Sequence, residues 1–287
     1  MTALSEPAAV TRRKIGLLRN PSLAAGGLIT AVIIATALLS FVWTPYPPLA
    51  MNMSQRFQPT SLQHLFGTDQ FGRDVLSLLM TGAQSSLAVG IVAVAIGLVI
   101  GSALGLLATA RGGWIDEIVM RMCDFLFAFP AVLCAVMLAA ALGAGMVNAM
   151  VAIGVYNIPI FARIVRGAAK GVWVREFVLA ARTAGKGTTR ISLEHVLPNI
   201  LDIIVVQATI SFATAILAEA ALSYLGLGTQ PPAPSWGRML HESQVFLSRA
   251  PYLSIIPGLT IVIMVLGINL LGDGLRDLLD PRQARGR

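Results

Sequence analysis

The stretch Arg163-Ile164-Val165-Arg166, Lys170, Arg175-Glu176-Phe177-Val178-Leu179-Ala180-Ala181-Arg182-Thr183-Ala184-Gly185, closing with His195-Val196-Leu197-Pro198-Asn199, is polar and basic in a chain that is otherwise mostly apolar. Segments apolar enough to cross a bilayer flank it on both sides. A water-soluble, helix-forming segment held between two membrane spans reads as a docking surface for something in the cytosol. Between residues 175 and 185 there is no proline, and Phe177, Ala180, Ala181 and Ala184 fall at i, i+3, i+4 and i+7, which gives one weakly apolar helix face. Glu176, Leu179, Arg182 and Thr183 occupy the rest of the surface. Gly185 and Gly187 end the helix, because glycine accepts left-handed backbone geometry. A second short helix is expected before Pro198, a favourable first residue for the next span. The predicted shape is a compact knob standing off the membrane.

Composition fits that setting. Of 287 residues, 56% are hydrophobic and 12% charged, with a mean hydropathy of +0.76, whereas about 25% charged is usual for a soluble domain. The pattern predicts an all-α polytopic membrane protein of six transmembrane helices near residues 23–43, 86–109, 125–142, 147–164, 200–222 and 253–271, each on the order of 20 residues. The third is short, and residues 114–124, with Asp116, Glu117 and Arg121, are placed at the interface before it. The expected organisation is a cytoplasmic segment 1–22, a first span 23–43 and an extracytoplasmic segment 44–80. A five-helix core 81–272 carrying the loop 165–199 and a cytoplasmic tail 273–287 complete it.

Orientation follows from the loops. Seventeen Lys and Arg fall on the side of the 163–199 segment and both termini, against four (Arg56, Arg73, Arg238 and Arg249) on the other. That asymmetry places both termini and the 163–199 segment in the cytoplasm. The net charge of +7 therefore serves membrane orientation; no aromatic-and-basic platform for nucleic acid accompanies it. Arg12-Arg13-Lys14 before 23–43 has the look of a signal peptide, but the apolar run is too long for one and reads as a retained span. Cys123 and Cys134 lack metal-binding or disulfide spacing and read as small buried hydrophobes. In the second span Gly97, Gly101 and Gly105 recur every four residues, with Gly90 two turns earlier, a flat strip against which another helix can pack closely.

The knob resembles the "EAA" loop of the membrane subunits of ABC importers. Ala180, Ala181, Gly185, Leu197 and Pro198 match that pattern in spacing, while Leu179 stands where its glutamate would be and His195 where isoleucine is common. Phe66-Gly67-Thr68-Asp69-Gln70-Phe71-Gly72-Arg73-Asp74 resembles the Gly-Thr-Asp…Gly-Arg-Asp segment of the dipeptide/oligopeptide/nickel permease group. So do Ala218-Glu219-Ala220, Leu222 to Gly228, Pro231-Pro232 to Trp236-Gly237, and Asn269 to Asp273. From about residue 60 the chain is similar to the second permease subunit of peptide importers in this group. The resemblance implies an importer in which this chain pairs with a homologous permease and two cytoplasmic ATPase subunits bind ATP-Mg. It also implies delivery by an extracytoplasmic solute-binding protein. It assigns Glu176, Leu179, Ala180, Ala181, Arg182, Gly185, Leu197 and Pro198 to ATPase coupling. Relatives with the same motifs carry nickel complexes or other small solutes, so that cargo stays an alternative to peptides.

The chain carries no ATPase motif of its own: Gly185-Lys186-Gly187-Thr188 lacks the glycine spacing that cradles phosphate, so no cofactor is expected here. No metalloprotease or serine-hydrolase motif appears, and His64, His195 and His241 all fall in loops. The rival is a carrier driven by an ion gradient. Ionisable groups within spans are functional suspects, and Asp202 and Glu219 lie in the fifth. Gln207, Ser211 and Thr214 follow helical spacing there, and with Asn157, Glu219 and Asn269 they are the candidate lining of the translocation path. Asp69, Arg73, Asp74 and Trp236 are the candidate contacts on the extracytoplasmic side, with packing against a partner permease as the competing reading.

Overall fold

The computed structural model describes residues 20–279; the basic 12–14 cluster and the last residues of the tail lie outside them. Helix α1 (Pro21–Leu39) is capped by Asn20, whose Oδ1 accepts from the amides of Ser22 and Leu23. Helix α2 runs from Val75 to Arg111, well before the predicted residue 86, because Asp74 caps it by accepting from the Ser77 amide. A π turn at Gly97–Gly101 interrupts it, and Gly112, at φ 62°, ends it.

The third predicted span is not one helix. In its place stand α3 (Gly113–Phe127) and α4 (Ala131–Leu142), separated at Pro130. Proline removes an amide donor and drives the preceding residue out of helical geometry. Twelve residues in α4 rise about 18 Å, short of a hydrocarbon core about 30 Å thick. Among the described residues, five helices are long and apolar enough to cross a membrane: α1, α2, α5 (Met146–Trp173), α8 (Leu201–Tyr224) and α10 (Tyr252–Leu279). Between α5 and α8 lie α6 (Glu176–Thr183) and the one-turn α7 (Thr188–Ile191). The short α9 (Trp236–Ser243) precedes α10. Residues 165–173, predicted as the start of the loop, are instead the last turns of α5.

The glycine strip is the seam between α2 and α5. A methyl group added to Gly97 would collide with Asn157, one on Gly101 with the Ile158 carbonyl, and one on Gly105 would lie 2.6 Å from the Ala162 carbonyl. Gly90 faces the side chains of Phe212 and Ile216 of α8, which an added Cβ would meet at 3.0 and 3.2 Å. The main core collects Phe161, Val165 and Val172 of α5 with Val178, Ile191, Val196 and Ile200, so it extends without a break from the bundle into the knob. Outside, Leu28, Ile91, Val99, Leu259 and Val262 are exposed on the spans. That is the surface expected against lipid or a membrane partner.

Candidate functional site

The knob is built on a fixed base. Arg166 makes a bidentate pair with Asp116, Lys170 donates to the same carboxylate at 3.1 Å, and Arg163 pairs with Asp124 at 2.5 Å. These bonds strap α3 to the lower half of α5, and Arg163 also lies 4.4 Å from the centre of the Phe127 ring. Three of the loop's seven bases are therefore engaged in holding helices together.

Val178, 1% exposed, anchors α6 in the core. The helix closes as the glycine pattern predicts: Gly185, at φ 82°, donates to the Arg182 carbonyl and Lys186 donates to the Ala181 carbonyl. That pair of bonds is the Schellman arrangement, and it turns the chain sharply. Lys186 Nζ then reaches Glu194 at 2.8 Å and His195 Nε2 at 3.0 Å, while Arg190 holds the other Glu194 oxygen at 2.5 Å. Lys186 and Arg190 pull the Glu194 carboxyl down to about 2. A depressed carboxyl contributes fully above its ordinary value and fails only as pH falls toward that figure, so the clamp is complete throughout the physiological range.

What remains exposed is the presenting face. Glu176, Phe177, Leu179, Ala180 and Arg182 lie outward, Ala181 and Leu197 are half-buried, and Pro198 is exposed at the foot. Among the described residues no carboxylate pairs with Arg175 or Arg182, so both keep their donors for a partner.

At the opposite end of the bundle the Gly-Thr-Asp…Gly-Arg-Asp segment folds on itself. Asp69 accepts from the amides of Phe71 and Arg73 at 2.8 Å and from Arg73 Nε at 2.5 Å. Asp74 accepts from Ser77 and pairs with His64 Nδ1 at 2.9 Å. Arg73 reaches on to Glu242 of α9 at 2.8 Å, and Arg238 binds the other Glu242 oxygen at 2.9 Å. Burial would raise the Glu242 carboxyl, but Arg238 and Arg73 outweigh it and hold it below its ordinary value. Asp69, Asp74 and Trp236 are buried, so their side chains tie this end of the bundle together. Sequence reading missed Glu242, whose partners Arg73 and Gln70 lie far away along the chain, and Arg238, which pairs with it one helical turn earlier.

Within the spans the polar residues divide. Asn157 and Thr214 line a cavity of about 130 Å³ between α4, α5 and α8 with Tyr156. Asn157 donates to the Ile153 carbonyl, and Thr214 to those of Ile210 and Ser211. Gln207 and Ser211 satisfy each other at 3.1 Å. Glu219, 1% exposed, is sealed off from that cavity. Ser86 of α2 and Ser223 donate to its two oxygens at 3.0 and 2.7 Å, and these hydroxyls accept from the amides of Trp236 and Thr229. Ser86 was not singled out from sequence, and Ser223 appeared only within the Leu222–Gly228 motif, since their shared partner Glu219 is set by the packing of α2 on α8.

A bundle of long apolar helices, with a helical knob at one end and a tied loop segment at the other, defines an integral membrane protein. Residues 97–285 match the family model described as "Binding-protein-dependent transport system inner membrane component". The dipeptide transport system permease of Alkalihalophilus pseudofirmus is 44% identical over 266 residues, covering 93% of this chain and 88% of that one. A glutathione transport system permease of Escherichia coli O6:K15:H31 is 48% identical over 222 residues, covering 77% and 73%. The inward-facing MetNI methionine ABC transporter, at 23% identity, shares the fold with a TM-score of 0.59 over 71% of this chain and 96% of that one. The chain belongs to the binding-protein-dependent transport family, as a multi-pass inner-membrane permease subunit of an ABC importer.

Proposed function

We propose that the chain forms half of the transmembrane path of a di- or oligopeptide importer, with a homologous permease forming the other half. Its knob docks on one of two cytoplasmic ATPases that bind ATP-Mg, and an extracytoplasmic binding protein delivers the cargo. The relatives named for dipeptide and glutathione transport support the cargo class, and the Lys and Arg asymmetry supports a cytoplasmic knob and termini. The observation that carries the reading is the continuity of α5 with the knob. Val165, Val172 and Val178 share one core, so a push on the exposed face of α6 moves α5 as a rigid body instead of deforming a loop. Closure of the ATPase pair then shifts the equilibrium between inward- and outward-facing states, through contacts that differ between the two. Asn157 and Thr214 are the path-lining candidates that the helices bring together.

Gly185→Trp tests this. No atom outside its own neighbours lies within 4 Å of an added Cβ there, so the bundle has room for the side chain. The positive φ is strained, however, and the indole stands in the docking face. In proteoliposomes holding the whole complex, uptake of labelled dipeptide should fall at least about tenfold, while the variant remains in the membrane at normal amounts. That loss corresponds to about 1.4 kcal/mol or more. Normal ATP-coupled uptake by the variant, or uptake by this chain alone without ATPases, would overturn the proposal.

A further inference from the structure

The outer segments 40–74 and 225–251 contain four arginines (56, 73, 238 and 249) and three carboxylates (69, 74 and 242). By count they are nearly neutral; by available hydrogen bonds they are not. Asp69 is filled by two amides and Arg73, Asp74 by Ser77 and His64, and Glu242 by Arg73, Arg238 and Gln70. The cations are less occupied. Arg238 spends only its Nε on Glu242. Arg56 and Arg249, both exposed, pair with no carboxylate among the described residues and lie 5.6 and 4.5 Å from the Phe57 ring centre. A partner approaching this end therefore meets unfilled guanidinium donors and no carboxylate free of a partner among these segments.

These donors border a concavity of about 430 Å³ lined by Arg56, Arg238, His241 and Glu242, with Met53 and Val245 as an exposed apolar rim. Arginine and methionine beside apolar groups is the composition enriched in protein interfaces. Helix α8, 24 residues long, separates this end from the knob by about 36 Å. We propose that this groove receives an acidic loop of the extracytoplasmic binding protein, an inference that rests on the importer reading above. The carboxylates of that loop occupy the open donors of Arg56 and Arg238, and Arg249 steers the approach.

The test uses the complete transporter in nanodiscs of zwitterionic lipid and the binding protein recovered with it. Arg56→Glu with Arg249→Glu reverses two exposed charges that hold no ion pair, positions at which the fold tolerates change. At low salt, association should slow at least about tenfold and dissociation should quicken, since Arg56 contacts the loop directly, and most of the slowing should vanish near 1 M salt. Lysine at both positions should keep the fast rate. Equal rates for the reversed variant and the unaltered protein would overturn the proposal. Loss of the second permease from the reversed complex would do so too, since the surface would then be a subunit interface. So would a slowing seen only in discs of anionic lipid, which would mark a headgroup site. An unaltered complex that binds no such protein would instead remove the importer reading itself, and this inference with it.

Discussion

Gly101→Leu should destabilise the bundle by about 3 kcal/mol or more and lower its melting temperature sharply. A side chain there would run into the Ile158 carbonyl, with Phe161 Cβ at 2.7 Å and the Ala162 amide nitrogen at 3.1 Å. Two of those three obstacles are backbone atoms, which cannot swing aside as a flexible side chain can. The helices must separate, and in lipid no hydrophobic gain offsets the lost dispersion contacts. Overpacking commonly costs about 1–3 kcal/mol and sometimes more; a backbone-to-backbone crossing belongs at the top of that range. Gly167, in α5, is the internal control, because nothing lies within 4 Å of its added Cβ. Gly167→Ala should be neutral or gain up to about 1 kcal/mol from the better helix former. Thermal unfolding of detergent-purified protein, followed by fluorescence size-exclusion, checks both. An unchanged melting temperature for Gly101→Leu would mean that α2 and α5 do not cross at this point.

Gly97, Gly101 and Gly105 show what kind of feature is legible in one sequence. Their four-residue spacing announces a close helix crossing, and only the identity of the facing helix was missing. The Gly185 turn was legible for the same reason: a local conformation needs a particular residue, and the residue is there. The interruption at Pro130 was written in the chain as well, but a hydropathy window averages across a single proline, and residues 125–142 passed as one span. The loop start at 165 failed differently. Arg163, Arg166 and Lys170 look like solvent-facing residues, yet their partners Asp116 and Asp124 come from another helix, and that pairing lets α5 stay helical to Trp173. The outer site was least legible. Asp69, Asp74 and Trp236 lie in recognisable motifs, yet their burial inside the fold, Asp74 as a helix cap and Asp69 as a tie, could not be read from those motifs. The donors that face outward, Arg56 and Arg249, belong to no motif at all.

The carboxylate of Glu219 should prove to be the knot that holds the outer segment 225–243 in the bundle. It is 1% exposed, and the groups around it are hydroxyls, those of Ser223, Ser235, Ser86 and Thr229, with no lysine or arginine. The hydroxyls act as relays. Ser86 takes the Trp236 amide and passes its own proton toward one oxygen; Ser223 does the same for the Thr229 amide and the other. Glu219→Ala removes both acceptors and opens a void where the side chain packed. Each hydroxyl left without an acceptor costs about 1–3 kcal/mol, and the void adds its own penalty, so a loss of several kcal/mol is expected. Glu219→Gln keeps the shape but presents an amide donor to a hydroxyl that is itself donating, which limits the loss to about 1–3 kcal/mol. Melting temperatures should therefore fall in the order glutamate, glutamine, alanine. Hydrogen exchange over residues 225–243 should rise in the same order, because the two relayed amides lose their anchor. The second readout separates a local knot from general destabilisation: protection should be lost there before it is lost over α5. An alanine variant with undiminished melting temperature and an equally protected segment would show that packing of Trp236, not the buried carboxyl group, closes this end of the bundle.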